Sequence, residues 1–190
     1  MEALAGEGEW VRKFQSGDAA AFGVIMNHYE PYILSLLTRL AGDRTRAEDL
    51  CQETFIKALK GLTSFRSDSS LKTWLFRIAH NTFTDHLRAE GPGTESLEAR
   101  AEAGIQSAET AKDPQARMEE SQVREAVETA MQILPQQQRE VMHLFYWGEL
   151  SVGEIAQAMR LPEGTVKTLL FRGRQALRGH VTGLLSEVTP

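Results

Sequence analysis

Apolar residues recur along this chain at intervals of three and four, the spacing that gathers them on one face of an α-helix. The first stripe is Ala21, Phe22, Ile25, Met26 and Tyr29, with Asp18 placed to cap its start. Pro31 suits the first turn of a helix, so a second helix is expected through Ile33, Leu36, Leu37 and Leu40, ending near Gly42. Asp43 is expected to cap a third helix, whose apolar stripe is Ala47, Leu50, Cys51, Thr54, Phe55, Ala58 and Leu59 and which stops at Gly61. After the polar loop SFRSDSS, a fourth helix starts near Leu71 and carries Trp74, Leu75, Ile78, Ala79 and Thr82. Residues 10–90 thus read as one helical block, and no β-strand is needed to account for any of it.

Residues 91–117 break the pattern. GPGTESLEARAEAGIQSAETAKDPQ is rich in Gly, Pro, Ser, Glu and Ala, and has no aromatic residue. It has too little apolar surface to offset the entropy of ordering, so a flexible, mildly acidic linker is expected. Helical spacing resumes over residues 118–182. Val123, Val127, Ala130 and Met131 lead to a break at Pro135, and Val141, Leu144, Phe145 and Trp147 mark the next helix. Ser151 and Glu154 have the spacing of a capping box. Val152, Ile155, Ala156 and Met159 line one face, and Leu161-Pro162 ends that short helix. Val166, Leu169, Leu170, Gly173 and Leu177 then face inward, leaving Thr165, Lys167, Thr168, Arg172, Arg174 and Arg178 largely outside. Two short helices joined by a tight turn, the second carrying the cations, form a helix-turn-helix whose second helix fits the DNA major groove. The expected fold class is all-α: two helical domains joined by a flexible linker, the C-terminal one a helix-turn-helix.

Charge sharpens this reading. The 190-residue chain is acidic, with a formal net charge of -5. Between Arg160 and Arg178, however, five cations face a single acid, Glu163. A local basic stripe on an acidic protein is a placed feature, and DNA phosphates are its simplest partner. One cysteine, Cys51, excludes an intrachain disulfide and fits a reducing cytoplasm. No run is long and apolar enough for a membrane span, and the start of the chain does not read as a signal peptide, so a cytoplasmic location without membrane insertion is expected.

On the third helix, Asp49, Gln52, Glu53 and Ile56 fall at i, i+3, i+4 and i+7, a second stripe opposite much of the first. By itself such a face is either solvated or a partner surface. It is a poor catalytic site, because no His or Gly-rich loop accompanies the two carboxylates, and Cys51 between them belongs to the apolar stripe. The segment FRSDSSLKTWLFRIAHNTFTDHLR mixes Phe65, Trp74, Phe76 and Phe83 with Arg66, Lys72, Arg77 and Arg88. Aromatic rings and cations together suit unstacked single-stranded DNA. Trp74 and Ile78, four apart, read better as core, and the loop 64–70 as the nucleic-acid element. His80 and His86 are six apart and face different ways, so they do not make a metal pair. No cofactor and no enzymatic activity are expected.

The three blocks AEDLCQETFIKAL, FRSDSSLKTWLFRIAHNTFTDHLR and LPQQQREVMHLFYWGELSVGEIAQAMRLPEGTVKTLLFRGRQALR, in this order, resemble a bacterial extracytoplasmic-function (ECF) sigma factor. The resemblance implies a protein that binds RNA polymerase core, through its beta-prime and beta subunits, and directs it to promoter DNA, with an anti-sigma factor as a further partner. It places Asp49, Gln52, Glu53 and Ile56 in the helix that docks on the polymerase. It assigns Phe65, Arg66, Ser67, Asp68, Lys72, Arg77, Asn81 and Arg88 to the minus-ten element. Arg160, Glu163, Gly164, Thr165, Lys167, Thr168, Arg172 and Arg174 fall to the minus-thirty-five element. The chain departs from the family at His80 and Leu169, where Arg is common, and at Gly173, where Ala is common. The rival reading is a helix-turn-helix regulator that acts as a dimer without polymerase core.

Overall fold

The computed structural model describes residues 4–90, 127 and 129–188, with side chains as far as residue 178. Among them every regular element is helical: α1 (Glu7–Gln15), α2 (Ala20–Ala41), α3 (Arg44–Leu62), α4 (Leu71–Glu90), α5 (Gln136–Tyr146), α6 (Val152–Met159) and α7 (Glu163–Val188).

The caps follow the sequence. Asp43 Oδ1 accepts the Arg46 N–H at 2.8 Å, and α2 stops where Gly42 turns left-handed at φ 69°. Ser70 Oγ accepts the Thr73 N–H at the start of α4. The Ser151–Glu154 capping box is closed from both sides. Arg160, at φ 55°, ends α6 before Leu161-Pro162. The expected linker lies outside the described residues.

Three expectations need correction. Pro31 does not start a helix; it sits inside α2, which runs unbroken for 22 residues. Ile25, Tyr29, Ile33, Leu36, Leu37 and Leu40 stay in phase across it and are all buried. Their burial, about 1.5–3 kcal/mol per large side chain, outweighs the roughly 3 kcal/mol that proline costs inside a helix. Leu59 is not core but 42% exposed; Leu62 takes the inward place one turn after Ala58. Helix α1 precedes the first expected helix. Tertiary contacts hold it: the Tyr29 hydroxyl donates to Glu7 Oε2 at 2.9 Å, and the Gln15 amide donates to the carbonyls of Leu62 at 3.0 Å and Phe65 at 2.9 Å.

The two helical blocks pack together, and their apolar interiors are continuous, running from Ile33 and Leu37 through Leu75 and Phe76 to Val141, Leu144 and Ile155. Polar contacts cross the seam. The Arg39 guanidinium lies 4.7 Å over the Trp147 ring. His80 Nδ1 is 3.5 Å from Glu140 Oε2, both nearly buried. Lys72 Nζ donates to the Glu149 carbonyl at 3.0 Å, and Thr73 Oγ1 donates to Glu154 Oε1 at 2.8 Å. The turn that carries Glu149 requires a glycine beside it. A Cβ on Gly148 would come within 2.6 Å of the Leu144 carbonyl oxygen and 3.0 Å of the Phe76 ring.

Burial along this seam shifts three titrations. It pushes Glu140 up to about 7 and His80 down to about 4. His143 is fully buried with its ring 5.1 Å from Trp147, and neither ring nitrogen has a hydrogen-bond partner among the described residues. Burial, with Arg39 and Arg139 nearby, pushes it down to about 3.

Candidate functional site

Three surfaces carry the candidate residues. The first is a groove of about 480 Å³ between α2 and α3. Its apolar lining comes from Phe22, Met26, Leu34, Phe55, Ile56 and Leu59, and its acids are Glu30, Glu48 and Asp49. Asp49, Gln52 and Ile56 are exposed along it, as the spacing on α3 demands. Glu53 is exposed on the same helix and pairs with Lys57 at 2.8 Å. Leu59 extends this stripe by one step beyond Ile56. The i, i+3 spacing could have revealed that, had the residue not been assigned to the core. Cys51 lines the groove wall, 5% exposed, and burial pushes its thiol up to about 12. An apolar trough with acids along it suits an amphipathic helix whose polar flank is cationic.

The second surface is built by the loop between α3 and α4. It forms a pocket of about 520 Å³ lined by Phe65, Arg66, Asp68, Ser69, Trp74 and Arg77, with Gln157 of α6 on its rim. Trp74 is buried, as the core reading expected, and its ring packs on Phe65 with centroids 5.0 Å apart. The loop shape depends on Ser67, left-handed at φ 58°, and on Gln15 holding the Phe65 carbonyl. Arg77 and Asn81, one turn apart and both half-buried, and exposed Arg88 continue along one face of α4. Arg88 donates to Asp85 at 2.9 Å. Lys72 lies apart from that face, turned to the α5–α6 junction where it meets the Glu149 carbonyl. An aromatic wall with two guanidinium groups at the mouth can take a flat ring and the phosphates on either side of it.

The third surface is the outer face of α7. Gly164, Lys167, Thr168 and Arg172 are exposed, Thr165 is half-buried, and Val166, Leu170 and Gly173 face in. Glu163 sits 3.7 Å from Lys167, and Thr168 Oγ1 donates to the Gly164 carbonyl. Arg160 is exposed at the turn. Arg174 is drawn back: its Nε donates to the Tyr146 hydroxyl at 2.8 Å, and its guanidinium stacks over Phe145 and Tyr146. Phe171, not singled out by the sequence reading, is 60% exposed between Thr168 and Arg172. An apolar ring in that place fits a thymine methyl group. Its spacing of four from Lys167 was the available signal.

His80 and His86 do not meet. His80 faces Glu140 across the seam, and His86 pairs with Glu90 on its own helix at 3.2 Å. No helix among the described residues is long and apolar enough to cross a membrane.

Comparison with known proteins covers both helical blocks. Residues 25–92 match the family described as Sigma-70 region 2, and residues 124–177 match Sigma-70, region 4. The chain is 35% identical over 182 residues to the RNA polymerase sigma-H factor of Pseudomonas aeruginosa, covering 93% of this chain and 94% of that protein. It is likewise 35% identical over 182 residues to the ECF RNA polymerase sigma-E factor of Escherichia coli K12, covering 92% and 94%. Among solved structures, it is similar to the sigma factor RpoE from Bartonella quintana, solved in complex with the anti-sigma factor NepR. That match has a TM-score of 0.65 and 27% identity, and covers 89% of this chain and 98% of that one.

Proposed function

Because the chain belongs to the ECF sigma factors, initiation factors of bacterial transcription and not enzymes, we propose the following division of labour among its three surfaces. The groove between α2 and α3 receives a helical element of the polymerase core, the beta-prime subunit, with Asp49, Gln52, Glu53 and Ile56 in contact. The Phe65 pocket and the α4 face of Arg77, Asn81 and Arg88 take the minus-ten element. Arg160, Glu163, Gly164, Thr165, Lys167, Thr168, Arg172 and Arg174 serve the minus-thirty-five element, and the same block meets the beta subunit. Residues 10–90 and 118–182 are the functional units of this scheme, working in the cytoplasm.

The observation that carries the reading is the Phe65 pocket. It is open and large enough to admit a displaced nucleobase, Phe65 and Trp74 give it an aromatic wall, and Arg66 and Arg77 are part of its lining. Taking a base out of the stack costs a few kcal/mol, which a fitted pocket and nearby phosphate contacts can offset. Melting then needs no catalytic group, only a place that holds one displaced base better than water does. The solved complex of a relative with an anti-sigma factor supports a partner of that kind here. Run-off transcription with purified core polymerase tests the proposal. Promoter-specific transcripts are expected with the wild-type chain, and a strong loss with Phe65→Ala or Arg77→Ala. Duplex binding as a dimer, without any response to core polymerase, would instead establish the rival regulator.

A further inference from the structure

A pocket built from a loop selects a flat ring only as well as the loop keeps its shape, because an unsupported loop moves and a displaced wall loses its fit. Residues 63–70, between α3 and α4, supply Phe65, Arg66, Asp68 and Ser69 to the base pocket. At the entry to this loop, the Ser64 N–H donates to the Gly61 carbonyl and the Phe65 N–H to the Leu62 carbonyl, which carries the end of α3 into the turn. The carbonyls at a helix end then need partners from elsewhere.

Helix α1 supplies them. Gln15 Nε2 donates to the carbonyl of Leu62, the last residue of α3, at 3.0 Å, and to that of Phe65 at 2.9 Å. A primary amide has two N–H donors, so one side chain can serve both carbonyls. The backbone of Phe65 is thereby pinned beside its own ring, whose centroid lies 5.0 Å from that of Trp74. At the other end of α1, Glu7 Oε1 stands 3.4 Å from the N–H of Leu71, the first residue of α4, and the Tyr29 hydroxyl steadies its Oε2 at 2.9 Å. Glu7 and Gln15 are the first and last residues of α1, about 12 Å apart at 1.5 Å per residue. The helix therefore spans the loop, with one side chain at its entry and another at its exit. It lies ahead of residues 25–92, the stretch that matches Sigma-70 region 2, and carries none of the residues assigned above to polymerase or DNA.

We infer that α1 braces the base pocket and that Gln15 is a positioning residue for reading the minus-ten element. Gln15 acts through Phe65: it fixes the backbone of the loop, so that the Phe65 ring and Arg66 meet a displaced base in one arrangement rather than many. The inference rests on the minus-ten reading above and names a residue outside the pocket on which the selectivity of the pocket depends. The contact with Phe65 is exposed, so water can satisfy that carbonyl once the amide is gone. What is lost is the fixed shape of the wall, and with it the preference for one base over another, more than the hold on the strand, which phosphate contacts supply.

The test uses core polymerase loaded with the full chain and a pool of single-stranded DNA carrying a randomised stretch. Bound strands are recovered and sequenced, with core polymerase alone as background. The readout is base bias, the enrichment of the most favoured over the least favoured base at the most biased position, beside the total amount of strand retained. Gln15→Met keeps the length of the side chain and removes both donors. It is expected to flatten the bias about fivefold, the scale of one net hydrogen bond, while total retention stays within about twofold of wild type. Gln15→Lys restores a donor-only group that can reach the same carbonyls, and is expected to keep the bias within about twofold of wild type. A merely structural role would lower bias and retention together and would not be rescued by lysine. Bias in Gln15→Met within about twofold of wild type overturns the brace, as does equal flattening in Gln15→Lys. Phe65→Ala separates the two claims. If the wild-type chain shows no bias above core alone, or Phe65→Ala keeps the wild-type bias, the minus-ten reading fails. If Phe65→Ala flattens the bias and Gln15→Met does not, only the brace fails.

Discussion

His143 offers a test of the seam by pH. The folded protein holds it neutral, pushed down to about 3, whereas an exposed histidine titrates near 6.5. A depressed histidine contributes stability that is present above 6.5 and is lost as pH falls toward the folded value, because only the unfolded chain gains the proton. At pH 5, about 1.5 units below 6.5, the loss is about 2 kcal/mol at 1.36 kcal/mol per unit. Glu140 and His80 leave that signal clear. Glu140, raised to about 7, costs stability as pH rises from 4.5 through 7, and His80, lowered to about 4, costs stability as pH falls from 6.5 through 4. Between pH 7 and 5 these two run in opposite directions and are of similar size. His143→Leu removes two buried nitrogens that have no hydrogen bond among the described residues, with little change in volume. It is expected to stabilise the protein by about 1 kcal/mol at pH 7 and about 3 kcal/mol at pH 5. Urea unfolding at both pH values, followed by tryptophan fluorescence, measures the difference. A stability gain of the same size at both pH values would refute the account of His143.

Further predictions follow from the other surfaces. Reversing Asp49 and Glu53 to Lys is expected to weaken binding to core polymerase by about 2–5 kcal/mol per desolvated charge contact while leaving the circular dichroism spectrum unchanged; pull-down with core reads it, and unchanged affinity would remove α3 from the interface. Lys167→Ala is expected to weaken duplex promoter binding evenly across sequences and to lower the salt slope by about one, measured by titration at several salt concentrations. Phe171→Ala is expected to relax preference at one thymine by about 1–3 kcal/mol, with little change in salt slope, in competition binding against substituted duplexes. Gly148→Ala drives a methyl group onto the Leu144 carbonyl and the Phe76 ring. It is expected to cost about 2–3 kcal/mol and to lower the melting temperature by roughly 4–12 °C, measured by calorimetry.

The helices themselves were legible because their caps and stripes are local. Asp43, Gly42, Ser151, Glu154 and Pro162 act within a turn of where they stand in the chain, and the helix-turn-helix follows from them. Pro31 misled because its local cost is set against burial on both sides, a sum that no single residue reveals. Helix α1 was missed for a related reason: Glu7 and Gln15 hold it to partners 22 to 50 residues away. The candidate surfaces were partly legible. The stripe Asp49, Gln52 and Ile56 is a matter of helical spacing, so it could be read, and the groove beside it needed α2 in place. The seam between the blocks was not legible at all. Thr73 meets Glu154 across 81 residues, and nothing in either neighbourhood announces the other.

Cys51 gives the molecule a chemical clock. Its thiol lies in the wall of the α2–α3 groove and is pushed up to about 12. At neutral pH only about one molecule in 10⁵ carries the thiolate that alkylating reagents attack. Modification then proceeds chiefly when α2 and α3 come apart and the thiol returns to its ordinary acidity. The rate of alkylation counts those openings, so a helix bound in the groove would slow it. One native atom thereby reports occupancy of the α2–α3 groove without any label being introduced.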